Sequence, residues 1–411
     1  MYLIKRIGIN RYDCSFALLP AGQPGEVFKS NTASNMIFMN IGYQKQEVEQ
    51  MSINTKNWEG MKVRSAESHR YGKSMADVFT IKKNFFEEND TLLKDGDSYS
   101  NLYRQQRKRD ECKICLSPIQ KVRYFTNHGT DYHLCDTCGH LNGEFDDGLE
   151  YTKALYESGL YGTDYQEPDP IRYLKRMDAI YMPKVRFMLD SFQGSGVPFE
   201  SMRYIDIGAG AGFMSCALDR VGLDVIGIEL SEPQVVYANK MIGKNLLRAE
   251  KADNIVNLIR KTDREVLVFI NVFEHITNLS EVLKSIKENR SIQFIYFCVP
   301  LLSLTCAFET IFPEIYARHI GGGGGHTHLF SQRSIDWIFN KYEFTRFATW
   351  TFGTDIMDLY RSIAVMLEKK ESHPDFIKSI STLFSEQADA IQLIIDKSGF
   401  ASDVHIIAQI H

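Results

Sequence analysis

No stretch of this chain offers the roughly 18–20 consecutive apolar residues that a membrane-spanning helix needs. An excess of one charge is missing too. Lys and Arg number 47 against 52 Asp and Glu, a net −5, so no global basic field draws the protein to nucleic acid or an anionic membrane. Compositional bias is absent, since 44% hydrophobic and 24% charged residues exclude disordered, fibrous and collagen-like chains. Residues Met1–Gly22 carry Lys5, Arg6, Arg11 and Asp13 and lack an uninterrupted apolar core. A signal peptide is therefore not expected, and a cytoplasmic location is. What the chain does have is length, 411 residues predicting two to three domains, and eight cysteines, four of them in two tight pairs.

The pairs are Cys112-Lys-Ile-Cys115 and Cys135-Asp-Thr-Cys138, with nineteen residues between Cys115 and Cys135. This spacing is that of a four-thiolate zinc site, in which each C-x2-C knuckle aims two sulfurs at one point. Ser117-Pro118 turns the chain after the first knuckle and Gly139 follows the second. A redox motif would need a single pair beside a βαβ unit, and disulfides would need an oxidising compartment. Four thiolates leave no open position, so the expected role of the metal is to fold a small ribbon. His128, His133 and His140 read as surface or packing residues. Cys14, Cys216, Cys298 and Cys306 are isolated and read as small buried hydrophobes.

Five segments are expected. Residues 1–60 form an appended segment of unassigned role, 61–111 a polar lead-in, 112–145 the zinc ribbon, 146–200 a helical linker and 201–411 the main domain. Seven basic residues between Arg104 and Arg123 face only Asp110 and Glu111; from Glu144 to Asp169 eight acids face only Lys153. Such runs are usually solvated faces, and the basic one is a candidate phosphate-facing surface. A helix is predicted from Ile171 to Phe192. Apolar strands follow at Arg203–Ile207, Val225–Glu229, Leu246–Ala249, Val266–Ile270, Phe294–Val299, Phe344–Thr351 and Val404–Ile410, mostly separated by helices. The fold class is α/β, a doubly wound Rossmann-like sheet.

The first of these strands runs into Tyr204-Ile-Asp206-Ile-Gly208-Ala209-Gly210-Ala-Gly212-Phe213. A glycine-rich turn between strand and helix lets a ligand approach the backbone and aims amides at it. The dinucleotide pattern G-x-G-x-x-G wants glycine at 213, where phenylalanine stands, so a dinucleotide is disfavoured. Glu229 ends the second strand, where a carboxylate can accept both ribose hydroxyls of a nucleoside. Asp206 suits a cationic amino group better than a phosphate.

Together with Phe269-Ile-Asn271-Val272-Phe-Glu274-His275-Ile, these segments resemble the class I S-adenosylmethionine-dependent methyltransferases. With a four-cysteine module ahead of it, the chain resembles their zinc-binding subgroup, which includes sugar methyltransferases of polysaccharide and antibiotic pathways. The resemblance implies a sheet ending in an antiparallel strand pair, filled by Phe344–Thr351 and Val404–Ile410. It implies S-adenosylmethionine as cofactor, with Asp206 at the methionine amino group. Gly208, Ala209, Gly210 and Gly212 would wrap the cofactor, Glu229 would meet the ribose and Asp253 the adenine, and Asn271 and Val272 would line the methionine end. Between the last two strands the chain departs from the short family connection with two helices, Asp355–Glu371 and Asp375–Lys397. Phe376, Ile380, Leu383, Phe384, Ile391, Ile394 and Ile395 form one stripe on the second. Core packing is the better reading of that stripe, and a homodimer face is the other.

Methyl transfer needs a nucleophile in line with the sulfonium methyl and, for a hydroxyl, a base near it. Glu274 and His275, just after the fourth strand, are the first candidates; His326 and His328, beyond Gly321–Gly325, are the second, with His319 behind them. Each could instead pack or hold a loop. Five successive glycines do not make a rigid wall, so a mobile lid over 318–328 is expected. The expected acceptor is a small molecule, a sugar hydroxyl or keto-sugar carbon in its nucleotide-linked form, whose anionic tail could rest on the basic run Arg104–Arg123. Two other classes compete: a zinc-module RNA methyltransferase, disfavoured by the net charge, and an inactive methyltransferase-fold binding protein.

Overall fold

Buried on both faces, the central strands read as continuous apolar runs, which is what a parallel sheet covered by helices requires. The computed structural model describes residues 68–76, 85–156, 166–167, 169–315, 319–320 and 326–411, which lie within one compact unit, Val63–His411. The expected appended segment 1–60 lies outside the described residues, as do the five glycines of the expected lid.

One sheet has eight strands in the order β1 (Ser68–Tyr71), β11 (Thr345–Phe352), β12 (Asp403–Gln409), β9 (Phe294–Pro300), β8 (Val266–Ile270), β5 (Arg203–Ile207), β6 (Asp224–Glu229) and β7 (Leu247–Ala249). From β9 to β7 all neighbours are parallel, whereas β12 runs antiparallel to both β9 and β11. The expected antiparallel pair is therefore present, with the last strand of the chain inserted beside β9. Strand β1 was not foreseen. Its four residues are all exposed, so no apolar alternation marks it, and its parallel pairing with β11 holds it at the edge. There Arg70 lies 4.4 Å above the Trp350 ring, and the Trp350 indole donates to the Gly72 carbonyl at 2.8 Å.

A second sheet has four antiparallel strands in the order β10 (His328–Leu329), β4 (Leu141–Gly143), β3 (Thr130–Leu134) and β2 (Phe125–Asn127). It is the cysteine ribbon, and its fourth strand comes from far along the chain, beyond the expected 112–145. The ribbon also shares the core under the large sheet: Cys112, Ile114, Cys135 and Cys138 belong to one apolar cluster with Phe269, Phe330 and Ile335. Truncating a fully buried member such as Phe269 would cost about 3–5 kcal/mol, transfer loss and cavity together.

The helix Gln332–Tyr342 ties the two sheets. Ser331 caps it, its Oγ accepting from the Ser334 amide at 3.1 Å while Ser334 Oγ accepts from the Ser331 amide at 2.9 Å. The Ser331 hydroxyl proton goes to the Gly139 carbonyl in the ribbon at 2.6 Å. The helix expected over Ile171–Phe192 spans Pro170–Gly194 but is interrupted by a π-helical turn, Met177–Tyr181. Asp169 caps its start, and Pro170, which has no amide to lose, opens it.

The two helices near the C-terminus are Asp355–Lys369 and Pro374–Ser398. Here core packing explains less than expected. Ile380, Phe384 and Ile395 join Met75, Ile356 and Met357, but Phe376, Leu383 and Ile394 are 53%, 52% and 70% exposed. The stripe is wider than the surface its neighbour covers.

Candidate functional site

Parallel strands β5, β6, β7, β8 and β9 all end on one edge of the sheet, so the loops that follow them gather there. Strand order reverses between β5 and β8, and the crevice at such a switch point is where open α/β sheets bind ligands.

The glycine loop leaves β5 and folds back over β6. Gly208 and Ala209 donate their amides to the Ile228 carbonyl at 2.8 and 2.9 Å. The Glu229 carboxylate accepts from the Gly210 amide at 2.8 Å with one oxygen, and from the amides of Leu230 and Ser231 at 2.8 and 3.0 Å with the other. Three backbone donors thus orient it at the mouth of the loop. Two of the glycines serve different needs. Gly210, at φ 53°, has open space where a side chain would stand, so a ligand can approach the backbone there. Gly212, at φ 78°, would drive a side chain to 2.9 Å from Ala238 and so permits close packing of the next helix.

Asp206 lies beneath this loop, 1% exposed, with Oδ2 accepting from the Ser215 hydroxyl at 2.6 Å. Burial pushes its carboxyl up to about 7, against the pull of Ser215. Val272 stands against Gly208, whose missing side chain leaves it room. Asn271, exposed, takes φ 57°, a left-handed turn that asparagine tolerates and that directs the chain away from β8. Asp253 is exposed in the short turn Ala252–Asn254 after β7. A residue that sequence reasoning did not assign to the site is Tyr173. Its hydroxyl donates to the Ala211 carbonyl at 3.0 Å, and its ring stacks on Phe213 at 4.4 Å. Tyrosines crowd that region of the sequence, so nothing singled it out.

Beyond β8, Glu274 and His275 occupy the 3-10 turn Phe273–His275. Glu274 is 1% exposed and neither carboxylate oxygen is hydrogen-bonded. Burial pushes this carboxyl up to about 8, against smaller opposing effects of its neighbours. The His275 ring lies 5.1 Å from that of His326. Burial, then the partner imidazole, holds His275 well below its ordinary value, and burial with His319 holds His326 down to about 4. Both are neutral near pH 7.

His328 goes elsewhere. It is fully buried in β10, with Nδ1 2.8 Å from His140 Nε2, and His140 in turn lies 3.4 Å from Ser334 Oγ. The structure thus brings together Glu274, His275 and His326 and sets His328 in a ribbon-to-helix network. His319 also turns inward, its Nε2 between Ser303 Oγ and the Leu301 carbonyl.

A buried ion cluster from the ribbon backs the histidines. Asp147 accepts from Arg109 and from Lys113, the residue inside the first knuckle, and from Thr327 Oγ1 at 2.8 Å. Burial works against this carboxylate, yet the two cations hold it well below the usual range. The fields of Lys113 and Asp147 both reach His275. The other charge runs largely neutralise each other: Arg107 pairs with Asp146, Lys108 with Glu144 and Lys121 with Asp110. That leaves less free positive surface for a phosphate than the sequence suggests.

The four cysteines are free thiols whose spacing could hold a metal ion. Cys112 and Cys138 sulfurs are 3.5 Å apart, as are those of Cys115 and Cys135, and all four sulfurs lie within 4.8 Å. A disulfide would bring two sulfurs to about 2 Å, whereas zinc with bonds of about 2.3 Å sets tetrahedral sulfurs about 3.8 Å apart. The Asn142 amide donates to Cys112 Sγ at 3.5 Å, an outer contact of the kind that orients a ligating thiolate.

Residues 168–347 match the family model of a methyltransferase domain. The chain carries a methyltransferase domain. The match spans the glycine loop, β6, β8, Glu274, His275 and His326 while leaving the four paired cysteines outside. Over 139 residues the chain is 26% identical to the mitochondrial ubiquinone biosynthesis O-methyltransferase of Arabidopsis thaliana, covering 31% of this chain and 42% of that protein. It thus spans less than half the length of that relative. Among solved structures, it is similar to magnesium protoporphyrin IX methyltransferase from Synechocystis PCC 6803, at 11% identity and TM-score 0.35 over 60% of this chain and 89% of that one. It is also similar to a SAM-dependent methyltransferase from Archaeoglobus fulgidus, at 14% identity and TM-score 0.32 over 56% of this chain and 98% of that one. No helix among the described residues is long and apolar enough to cross a membrane.

Proposed function

We propose that the protein transfers the methyl group of S-adenosylmethionine to a small-molecule acceptor, a sugar hydroxyl or the carbon beside a sugar keto group, carried as its nucleotide-linked form. The observation that supports this reading is the meeting, at one sheet edge, of the Glu229-pinned glycine loop with Glu274, His275 and His326. On this reading Glu229 accepts the ribose hydroxyls, Asp253 meets the adenine, and Asp206 supplies negative charge to the methionine amino group from beneath Gly208 and Ala209. Gly210 and Gly212 let the backbone wrap the cofactor, and Asn271 and Val272 line its methionine end. The sulfonium supplies the reactivity, so the chain's work is to align the acceptor, exclude water and remove a proton.

His275 and His326 stand where that proton leaves, with Glu274 behind them; His328 serves by holding the ribbon against them. A zinc ion on Cys112, Cys115, Cys135 and Cys138 folds the ribbon, which carries Lys113 and Asp147 to the acceptor side. The test is methyl transfer from labelled S-adenosylmethionine to a panel of free and nucleotide-linked sugars, followed by product mass. His275→Ala should lower the rate by about 10²–10⁴-fold with cofactor affinity unchanged. A chain that binds no S-adenosylmethionine by calorimetry would instead be an inactive binding protein.

A further inference from the structure

Glu274 has no account in cofactor binding. Both its oxygens are buried and without a hydrogen-bond partner, a costly position for a carboxyl group in a folded core. One of its oxygens lies within 4.8 Å of a ring nitrogen of His275 and of one of His326, and those two nitrogens are as close to each other. The His326 tautomer follows from its surroundings. Its Nδ1 faces the His319 carbonyl, which can only accept, so Nδ1 carries the proton and Nε2 presents a lone pair. A histidine whose other nitrogen donates to a backbone carbonyl is held in the manner of a metal ligand.

We propose that Glu274, His275 and His326 form a second metal site, one that binds a divalent cation through a carboxylate and two imidazoles and leaves coordination positions open toward the acceptor. The two metal sites of the chain then differ in kind. Four thiolates close the ribbon site, whereas two histidines and a glutamate are a donor set that keeps room for an exchangeable ligand. Imidazole and carboxylate oxygen take Zn²⁺ or Mn²⁺, and Mn²⁺ has little liking for thiolate. An acceptor hydroxyl placed on such a cation loses its proton more readily. With both imidazoles on the cation that proton passes to water, and the oxygen attacks the methyl carbon, the C–O bond forming as the S–C bond breaks and the electron pair of the broken bond staying on sulfur as a neutral thioether. This role rests on the proposed methyl transfer, but occupancy of the site does not.

The experiment uses the full-length chain with its thiolate site loaded with zinc, titrated with Mn²⁺ and followed by electron paramagnetic resonance. One bound Mn²⁺ per chain is expected, with affinity falling at least tenfold in both Glu274→Gln and His326→Ala while zinc content and circular dichroism stay unchanged. Absence of Mn²⁺ binding in the native chain, or binding undiminished in both variants, overturns the site. Methyl transfer that runs undiminished after Mn²⁺ is chelated overturns its part in the reaction and leaves the proposed function standing. Mn²⁺ binding in a chain that transfers no methyl group supports the site and removes that function instead.

Discussion

The two halves of the edge are built on different plans. On the proposed cofactor side, partners are near in sequence: Glu229 holds Gly210, 19 residues away, and Asp206 holds Ser215, 9 residues away. On the proposed acceptor side they are remote: Thr327 reaches Asp147 across 180 residues and His140 reaches His328 across 188. The local half has its polar groups engaged, with three amides on one carboxylate. The assembled half strands polar atoms, both Glu274 oxygens and His328 Nε2 among them. A strand-turn-helix can satisfy its own backbone as it forms. A site assembled from a ribbon, a 3-10 turn and a late strand leaves donors facing one another, and those are the groups an occupant can use.

The largest effect that would sharpen this contrast comes from Cys135→Ser. Loss of one of four thiolates should release the ribbon metal, on which structural zinc modules depend for folding. The expected result is loss of one equivalent of zinc and of methyl transfer, with S-adenosylmethionine affinity kept within a few-fold. A parallel collapse of cofactor affinity, read by calorimetry, would show that the two halves are one. The shared apolar cluster under the sheet makes that comparison demanding.

A second effect belongs to the local half. The Asp206 carboxyl is raised to about 7 in the folded chain by burial, while in the unfolded chain it titrates near 3.9. Between those values the folded state holds the extra proton, so this group's contribution to stability is present below about pH 4 and is lost as pH rises toward 7. Cofactor-free protein should lose roughly 2–4 kcal/mol from this source by pH 7.5. Urea unfolding at pH 5 and pH 7.5 measures it, and Asp206→Asn should flatten the difference. An equal slope in the variant would place the effect elsewhere.

The smallest effect is that of Glu229→Ala, which should weaken S-adenosylmethionine binding by about 1–3 kcal/mol, the scale of hydrogen bonds lost with a partner left stranded. Calorimetry checks it, and unchanged affinity would remove the ribose assignment. Acceptor affinity should stay as it was if the halves are as separate as their bonding suggests.

Much of the cofactor half was legible in the sequence because its signals are local. An apolar run, three spaced glycines and a carboxylate one strand later suffice to place Gly208 and Glu229 together. The histidines carried no such signal. His326 and His328 look equivalent two residues apart, yet only His328 lies in β10, while His326 precedes the strand; one meets His275 and the other His140. The apolar stripe on Pro374–Ser398 also misled, since helical periodicity gives a face but not the extent of what covers it.

By itself, then, the sequence determined the parallel strand series, the glycine loop with its carboxylates and the two cysteine knuckles, because each depends on conformations and spacings within a few residues. Only the tertiary structure decided that β1 would edge the sheet, that β10 would complete the ribbon, and that Lys113, Asp147, Glu274, His275 and His326 would converge. Those outcomes depend on burial and on charges brought together from distant parts of the chain, energies that exist only once the core has closed.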